Sequence, residues 1–453
     1  MSRRKKIATA AVGALAALLV YLLTAPPSLT WAHHGADGGD LATAVVRHRL
    51  PHPPGFPVYL LLGDLFARLP WGDPARRLGS MSAVAAAAAV GLLSLAGWRL
   101  VGDNPRPVFF ASLALAFAPL FWSQALIVEV YALAAFFAAL VMWLVLQRGP
   151  DWAVGLAWGL GMGVHPTLLF LAPLALWRSE RPLRRLVVVV LSALVGWGMA
   201  YGPLLLVWGS NPSPWGSVST PGGWWDVVSG RMYHGYLFAL PGAAWPRRLL
   251  AAAGLLARQF TPLGAAAAAG GWLLLWRERR SLAVTSGLAA GLFILYAIGY
   301  NTTDSLVYLV PSLPLAALWL AVGGEWAAAW ADKKLRGAGW LLLLLPLLQL
   351  LFFWPAVDLH GDREALCWAQ EQLRSAPPQA IVLSGQDAHT AALWYVHDVL
   401  AERPDVVVVD RHLWGRAAYQ ALVAGDLGLA VQERSLQAAC ALTGRPVVSL
   451  ADE

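Results

Sequence analysis

Two aspartates and a histidine near the start of the chain are the first residues whose types and spacing could do chemistry. The stretch "GADGGDLATAVVRHRLPHPPGFPVY", residues 35–59, holds Asp37 and Asp40 among glycines and His52 ahead of a proline run. Carboxylates are costly beside a bilayer, so a charged pair there is a functional candidate by default. A carboxylate whose pKa is raised by desolvation is a good acceptor for the proton of a weak nucleophile. The plain alternative is capping, since Asp is a favoured N-cap and a helix could start near Leu41. Further along, Glu129, His165, Arg231 with Tyr233, and Asn301 with Asp304 stand in short polar breaks between apolar blocks.

Those blocks define the class. The chain has 453 residues, 58% hydrophobic and only 13% charged, where soluble domains are about a quarter charged. Apolar runs of roughly 20 residues are long enough to cross a hydrocarbon core. The spans expected are 7–25, 80–98, 108–126, 129–146, a block at 152–177, 186–208, 260–276, 282–299, 305–329 and 338–355. The net charge of +7 is spread over short loops, where it sets orientation, and does not mark a nucleic-acid footprint. The 24 tryptophans suit a membrane interface. The N-terminus has the basic start and apolar core of a signal peptide, but the core is long, and it reads as a retained first span.

Orientation follows from the charges. "RLVGDNPR", "QRGPDW", "RSERPLRR", "WRERRS" and "DKKLR" are basic, whereas "SQALIVEV" and "NTTDS" carry no Lys or Arg. The positive-inside rule puts the basic breaks and the N-terminus in the cytoplasm. The block 152–177 lies between two basic breaks, so it must cross twice or not at all, and two short helices meeting at His165–Pro166 are the expected solution. The expected architecture is an all-α polytopic membrane protein of about eleven crossings. Asp37, Asp40, Glu129, His165, Arg231, Tyr233, Asn301 and Asp304 then converge on the outer face. The membrane domain is expected over 1–355, with a first outer loop at 26–79 and a second, rich in Trp, at 209–258. In the latter, "PRRLLAAAGLLARQF" reads as an interfacial amphipathic helix. Residues 356–453 alternate helical runs with the strands "QAIVLSG" and "DVVVVD", the pattern of a small extracytoplasmic α/β domain with a parallel sheet. Both cysteines, Cys367 and Cys440, fall there; a disulfide and two separate thiols are equally consistent with the sequence.

Several motifs resemble, in order, those of the protein O-mannosyltransferase-like membrane proteins, glycosyltransferase family 117 of the GT-C superfamily. "DGGD" and "HPPGFP" match its acidic and His-Pro-Pro-Gly elements, with Asp40 where the family usually has Glu. "ARRLGSMSA" matches through Arg77 and Ser82, with Gly79 in place of Asn. "FWSQALIVEVYAL", "GLGMGVHPT", "SGRMYHGYLF" and "YNTTDSLVYLVPSLP" supply Glu129, His165, Arg231 with Tyr233, and Asn301 with Asp304.

The resemblance implies a GT-C core whose first outer loop carries the catalytic acid. The expected activity is inverting transfer of a sugar, mannose at the family level, from a polyprenyl phosphate to an acceptor hydroxyl. The acceptor could be a protein, a lipid or a glycan, and a bacterial inner membrane is the expected location. Asp37 is the first choice for the base and Asp40 for orienting the acceptor, with the flanking glycines admitting substrate. The leaving phosphate needs a fixed positive partner, for which Arg77, His165 and Arg231 are candidates, with His52 behind them. The prolines would stiffen a loop that holds the acids without a packed core. No cofactor is expected; Asp37, Asp40, Glu129 and Asp304 could in principle offer oxygen ligands to a divalent ion, but no ligand spacing demands one. Milder roles remain open: Glu129 serving a helix dipole, His165 in the core, Arg231 on a lipid headgroup, Asp304 as a cap, and the tyrosines as packing. A lipid or sugar transporter, or a non-catalytic scaffold on the same fold, is the competing class; against the first, the spans show no internal repeat.

Overall fold

The computed structural model describes residues 2–177, 182–429 and 435–450. The basic break expected at 178–185 lies partly outside the described residues, at 178–181. Chain order explains much of the bundle. Helix α1 (Arg3–Thr24), capped by Ser2, is followed by α2 (Gly38–Arg47), α3 (Pro57–Ala67) and α4 (Pro74–Gly97). The run expected as one span at 108–126 is two helices, α5 (Pro105–Ala116) and α6 (Pro119–Gln124). Pro119 lacks an N–H and forces Ala118 into an extended conformation, which stops α5 and restarts the chain. After α7 (Tyr131–Leu146), the 152–177 block is α8 (Asp151–Met162), then a 3-10 turn, Pro166–Leu171, running into α9 (Ala172–Ala175). The break falls at His165–Pro166.

Next comes α10 (Pro182–Met199), continued through a π turn to α11 (Leu205–Trp208). The Trp-rich loop carries α12 (Pro221–Val228) and the amphipathic α13 (Trp245–Gln259). Helices α14 (Thr261–Glu278), α15 (Arg280–Gly299), α16 (Leu313–Lys334) and α17 (Leu344–Val357) complete the bundle. Among the described residues six helical stretches are long and apolar enough to cross a membrane, and three shorter apolar ones accompany them. Glycines set the closest crossings: Gly155 and Gly159 admit the α10 backbone to α8, and Gly271 and Gly323 do the same for α14 against α16.

The basic breaks gather at one end. Lys6 pairs with Asp103 at 2.8 Å, Arg99 donates to Gln147 at 2.7 Å, and Arg106 pairs with Asp332 at 2.6 Å. The breaks poor in Lys and Arg lie at the other end, with the first loop and the C-terminal segment. There α18 (Glu364–Ser375), β1 (Ile381–Ser384), α19 (Asp387–Trp394), β2 (Val407–Asp410), α20 (Ala417–Asp426), α21 (Leu436–Thr443) and β3 (Val447–Ser449) follow one another. The sheet is parallel throughout, in the order β2-β1-β3. Strand β3 and helices α3, α12, α20 and α21 are additions to the sequence reading. Cys367 is exposed and Cys440 buried, and both thiols are free.

The acids do not ride on a free loop. Helix α2 is buried from Gly38 to Val45, packed between the bundle and α19. Gly39 makes this fit, because a Cβ there would run into the Ala391 carbonyl. Gly38 is less tightly seated, since a Cβ there would lie 3.2 Å from both the Val128 carbonyl oxygen and Leu29 Cδ1. These glycines serve helix packing rather than substrate approach, which corrects the expectation above. Tyr395 donates to Asp73 at 2.7 Å and Trp31 to the Ala388 carbonyl at 3.1 Å, tying the C-terminal segment to the first loop. Gly39→Ala should cost about 1–3 kcal/mol through overpacking. The check is the midpoint of thermal unfolding in detergent; an unchanged midpoint would mean that α19 does not depend on this seat.

Candidate functional site

Asp40 sits in the first turn of α2, with only 3% of its surface exposed. It accepts three hydrogen bonds: from the His52 backbone at 2.8 Å, from His52 Nδ1 at 2.9 Å and from Trp215 Nε1 at 2.9 Å. A carboxylate facing Nδ1 keeps the proton on that nitrogen. The other nitrogen, Nε2, lies 3.6 Å from Asp37 Oδ2. His52 is thus held between two acids. Burial alone would lower its pKa, but Asp37, the Asp40 hydrogen bond and the Asp40 and Glu129 charges outweigh it and raise the group to about 9. The ring is an imidazolium at neutral pH.

Asp37 precedes α2 but makes no capping bond, and its side chain is half exposed. Crowding by protein raises its pKa; the His52 charge opposes that, while Asp40, Asp304 and Asp387 reinforce it. Asp37 therefore has the form of a base that is open to a ligand and takes up a proton readily. Glu129 is buried, accepts the Val130 N–H at 3.3 Å, and stands within electrostatic reach of Asp37 and Asp304. Asp304 makes no cap bond with the turn that follows it. Tyr233 feels the charges of Asp37, Asp40 and Asp387, and burial together with them pushes its hydroxyl pKa up.

Other expected residues serve differently. Arg77 is not free for an anion: its guanidinium donates to the carbonyls of Ala67 and Leu69 and so closes the end of α3. His165 Nδ1 accepts from Thr167 N at 3.3 Å and pairs with Thr167 Oγ1 at 2.7 Å. A ring nitrogen that accepts an N–H carries no proton, so this imidazole is neutral. It stacks on Phe56 at 6.0 Å, and Phe56 meets the His52 ring edge-on at 5.0 Å. His165 supports the site rather than supplying charge to it. Asn301 is exposed, with its backbone N–H on the Tyr236 carbonyl. Arg231 pairs with Asp226 at 3.1 Å on the rim of an adjoining cleft, apart from the acid pair. Among the described residues no group of three or more His, Cys, Asp or Glu side chains could hold a metal.

Three participants escaped sequence reasoning. Trp215 holds Asp40, Asp387 at the start of α19 lies within electrostatic reach of Asp37 and His52, and Arg416 lies over the Trp215 ring at 5.9 Å. Asp387 and Arg416 follow the carboxyl ends of β1 and β2, where open parallel sheets bind their ligands. That rule was the available signal, and it lacked only the direction in which the sheet faces.

The helical bundle with its small parallel sheet has counterparts in fold among solved structures. Among solved structures, ArnT from Cupriavidus metallidurans bound to undecaprenyl phosphate has a TM-score of 0.53 at 15% identity, over 91% of this chain and 92% of that one. The Archaeoglobus fulgidus oligosaccharyltransferase gives 0.50 at 13%, over 88% and 62%. The resemblance to the O-mannosyltransferase-like proteins is likewise shown: residues 37–179 match the family described as the protein O-mannosyl-transferase TMEM260 N-terminal domain. The mouse protein O-mannosyl-transferase TMEM260 is 25% identical over 436 residues, covering 87% of this chain. The chain spans about three fifths, 61%, of that relative's length.

Proposed function

We propose that the chain transfers a sugar, with mannose the first to test, from a polyprenyl phosphate to an acceptor hydroxyl at the outer face of a membrane. The observation that carries this reading is His52 clamped between Asp40 and Asp37, with Asp37 left open. The bond between the anomeric carbon and the phosphate oxygen breaks, and its electron pair leaves with the lipid phosphate. The acceptor oxygen attacks that carbon and its proton passes to Asp37. Direct attack of this kind inverts the anomeric centre. Asp40 and Trp215 hold His52 in place, and the imidazolium keeps Asp37 ionised until the acceptor arrives. The name of the mouse relative and the lipid bound to ArnT support this choice of substrates. The gathering of basic breaks at one end supports a cytoplasmic N-terminus, about eleven crossings and an outer C-terminal segment.

The test is an incubation of purified protein with radiolabelled polyprenyl-phosphate mannose and a membrane extract. Label moving from lipid to acceptor is the expected result. Failure with a panel of lipid-phosphate sugars would overturn the reading.

A further inference from the structure

Beside Asp40 and His52 lies a cleft of about 520 Å³, walled by Pro53, Trp215, Asp226, Arg231, Met232 and Arg416. Two guanidinium groups face one carboxylate there. Arg231 and Asp226 form an exposed pair, 72% and 51% accessible, which water and salt weaken. Arg416 has its Nη2 on Met232 Sδ at 3.3 Å, and a thioether is a weak acceptor. Its guanidinium also covers the Trp215 ring, the same ring whose N–H binds Asp40. Arg416 is therefore positioned relative to the acid pair through one shared side chain, and it comes from the C-terminal segment.

The cleft adjoins an apolar surface. Trp224 on α12 donates to the Tyr201 carbonyl at 2.7 Å, fixing the cleft wall to the end of the span Pro182–Trp208. Met199, Leu206, Val207 and Trp225 expose apolar side chains along that end. A lipid chain lying there would bring its phosphate to the two arginines. An arginine fork matches phosphate oxygens, and its hold strengthens as the departing phosphate gains charge.

We propose that Arg416, together with Arg231, binds the phosphate of the lipid donor, which makes the C-terminal α/β segment a working part of the site. This rests on the donor assigned above and adds which residues take its headgroup. The probe is radiolabelled farnesyl phosphate, measured for binding to the purified full chain in detergent without any acceptor. Arg416→Gln should weaken binding about ten- to a hundredfold, Arg416→Lys less, and Arg231→Gln severalfold. Thermal unfolding checks the Arg416→Gln fold. Arg231 is exposed, so its variant carries the test should Arg416→Gln not fold.

Unchanged binding in the folded variants would overturn the proposal while leaving the donor reading intact. Equal binding of farnesol would overturn it too, since no phosphate would then be held. Competition by inorganic phosphate at equal concentration would mark a free-anion site and overturn the lipid assignment. No binding of any polyprenyl phosphate by the parent protein would sink the donor reading, and this inference with it.

Discussion

Asp37→Asn should lower transfer by about 10²- to 10⁴-fold, the range a positioned general base contributes, with the unfolding midpoint unmoved. The substitution keeps the shape of the side chain and removes its capacity to take a proton. Little else is lost, because Asp37 makes no capping bond to α2 and, among the described residues, its side chain pairs only with His52, at 3.6 Å. The pH profile adds a second readout. The Asp37 pKa is raised by the protein packed around it, against the pull of His52. The parent activity should therefore rise with pH through a value above the ordinary carboxylate range. In Asp37→Asn the residual activity should lose that limb. Full activity in the variant would move the base elsewhere, and buried Glu129, within reach of Asp37, would be the next residue to change.

Much of this arrangement was legible in the residues. Apolar length and basic breaks located most of the long helices, and the break at His165–Pro166 falls where it was expected. Alternation of helix and strand revealed the parallel sheet before its partners were known. Spacing alone could not say what each polar group binds. Arg77 looked like a cation for a phosphate, yet the nearest acceptors in space are the open carbonyls at the end of α3, a helix hidden in the sequence by its place in an outer loop. The glycines beside the acids looked like room for substrate, and α19 fills that room instead. This helix begins some 350 residues downstream (Asp387 against Asp37), so no local pattern could reveal the contact. Asp387 and Arg416 were invisible for the same reason: their role depends on which way the carboxyl edge of the sheet is aimed.

Asp40→Asn should act through His52 and change the opposite limb of the profile. The parent ring is charged up to about pH 9, because Asp37 and Asp40 together outweigh the cost of burial. The gap from an ordinary value of 6.5 corresponds to roughly 3 kcal/mol of preference for the charged ring. Because the folded pKa is raised, that stabilisation is fully present below about pH 6.5 and is lost as pH rises through 9. An asparagine can still accept from Trp215, but it offers His52 Nδ1 a neutral partner. The His52 pKa should drop by about one to two units, and the alkaline fall in activity should move down with it. At pH 8 the variant should then be much less active than the parent, while at pH 6 the two should lie closer together. Titration of the His52 ring by NMR would report the shift without reference to turnover. An unmoved His52 pKa in a folded Asp40→Asn protein would mean that Asp37 alone holds the charge, and Asp40 would be left with the seating of Trp215 as its work.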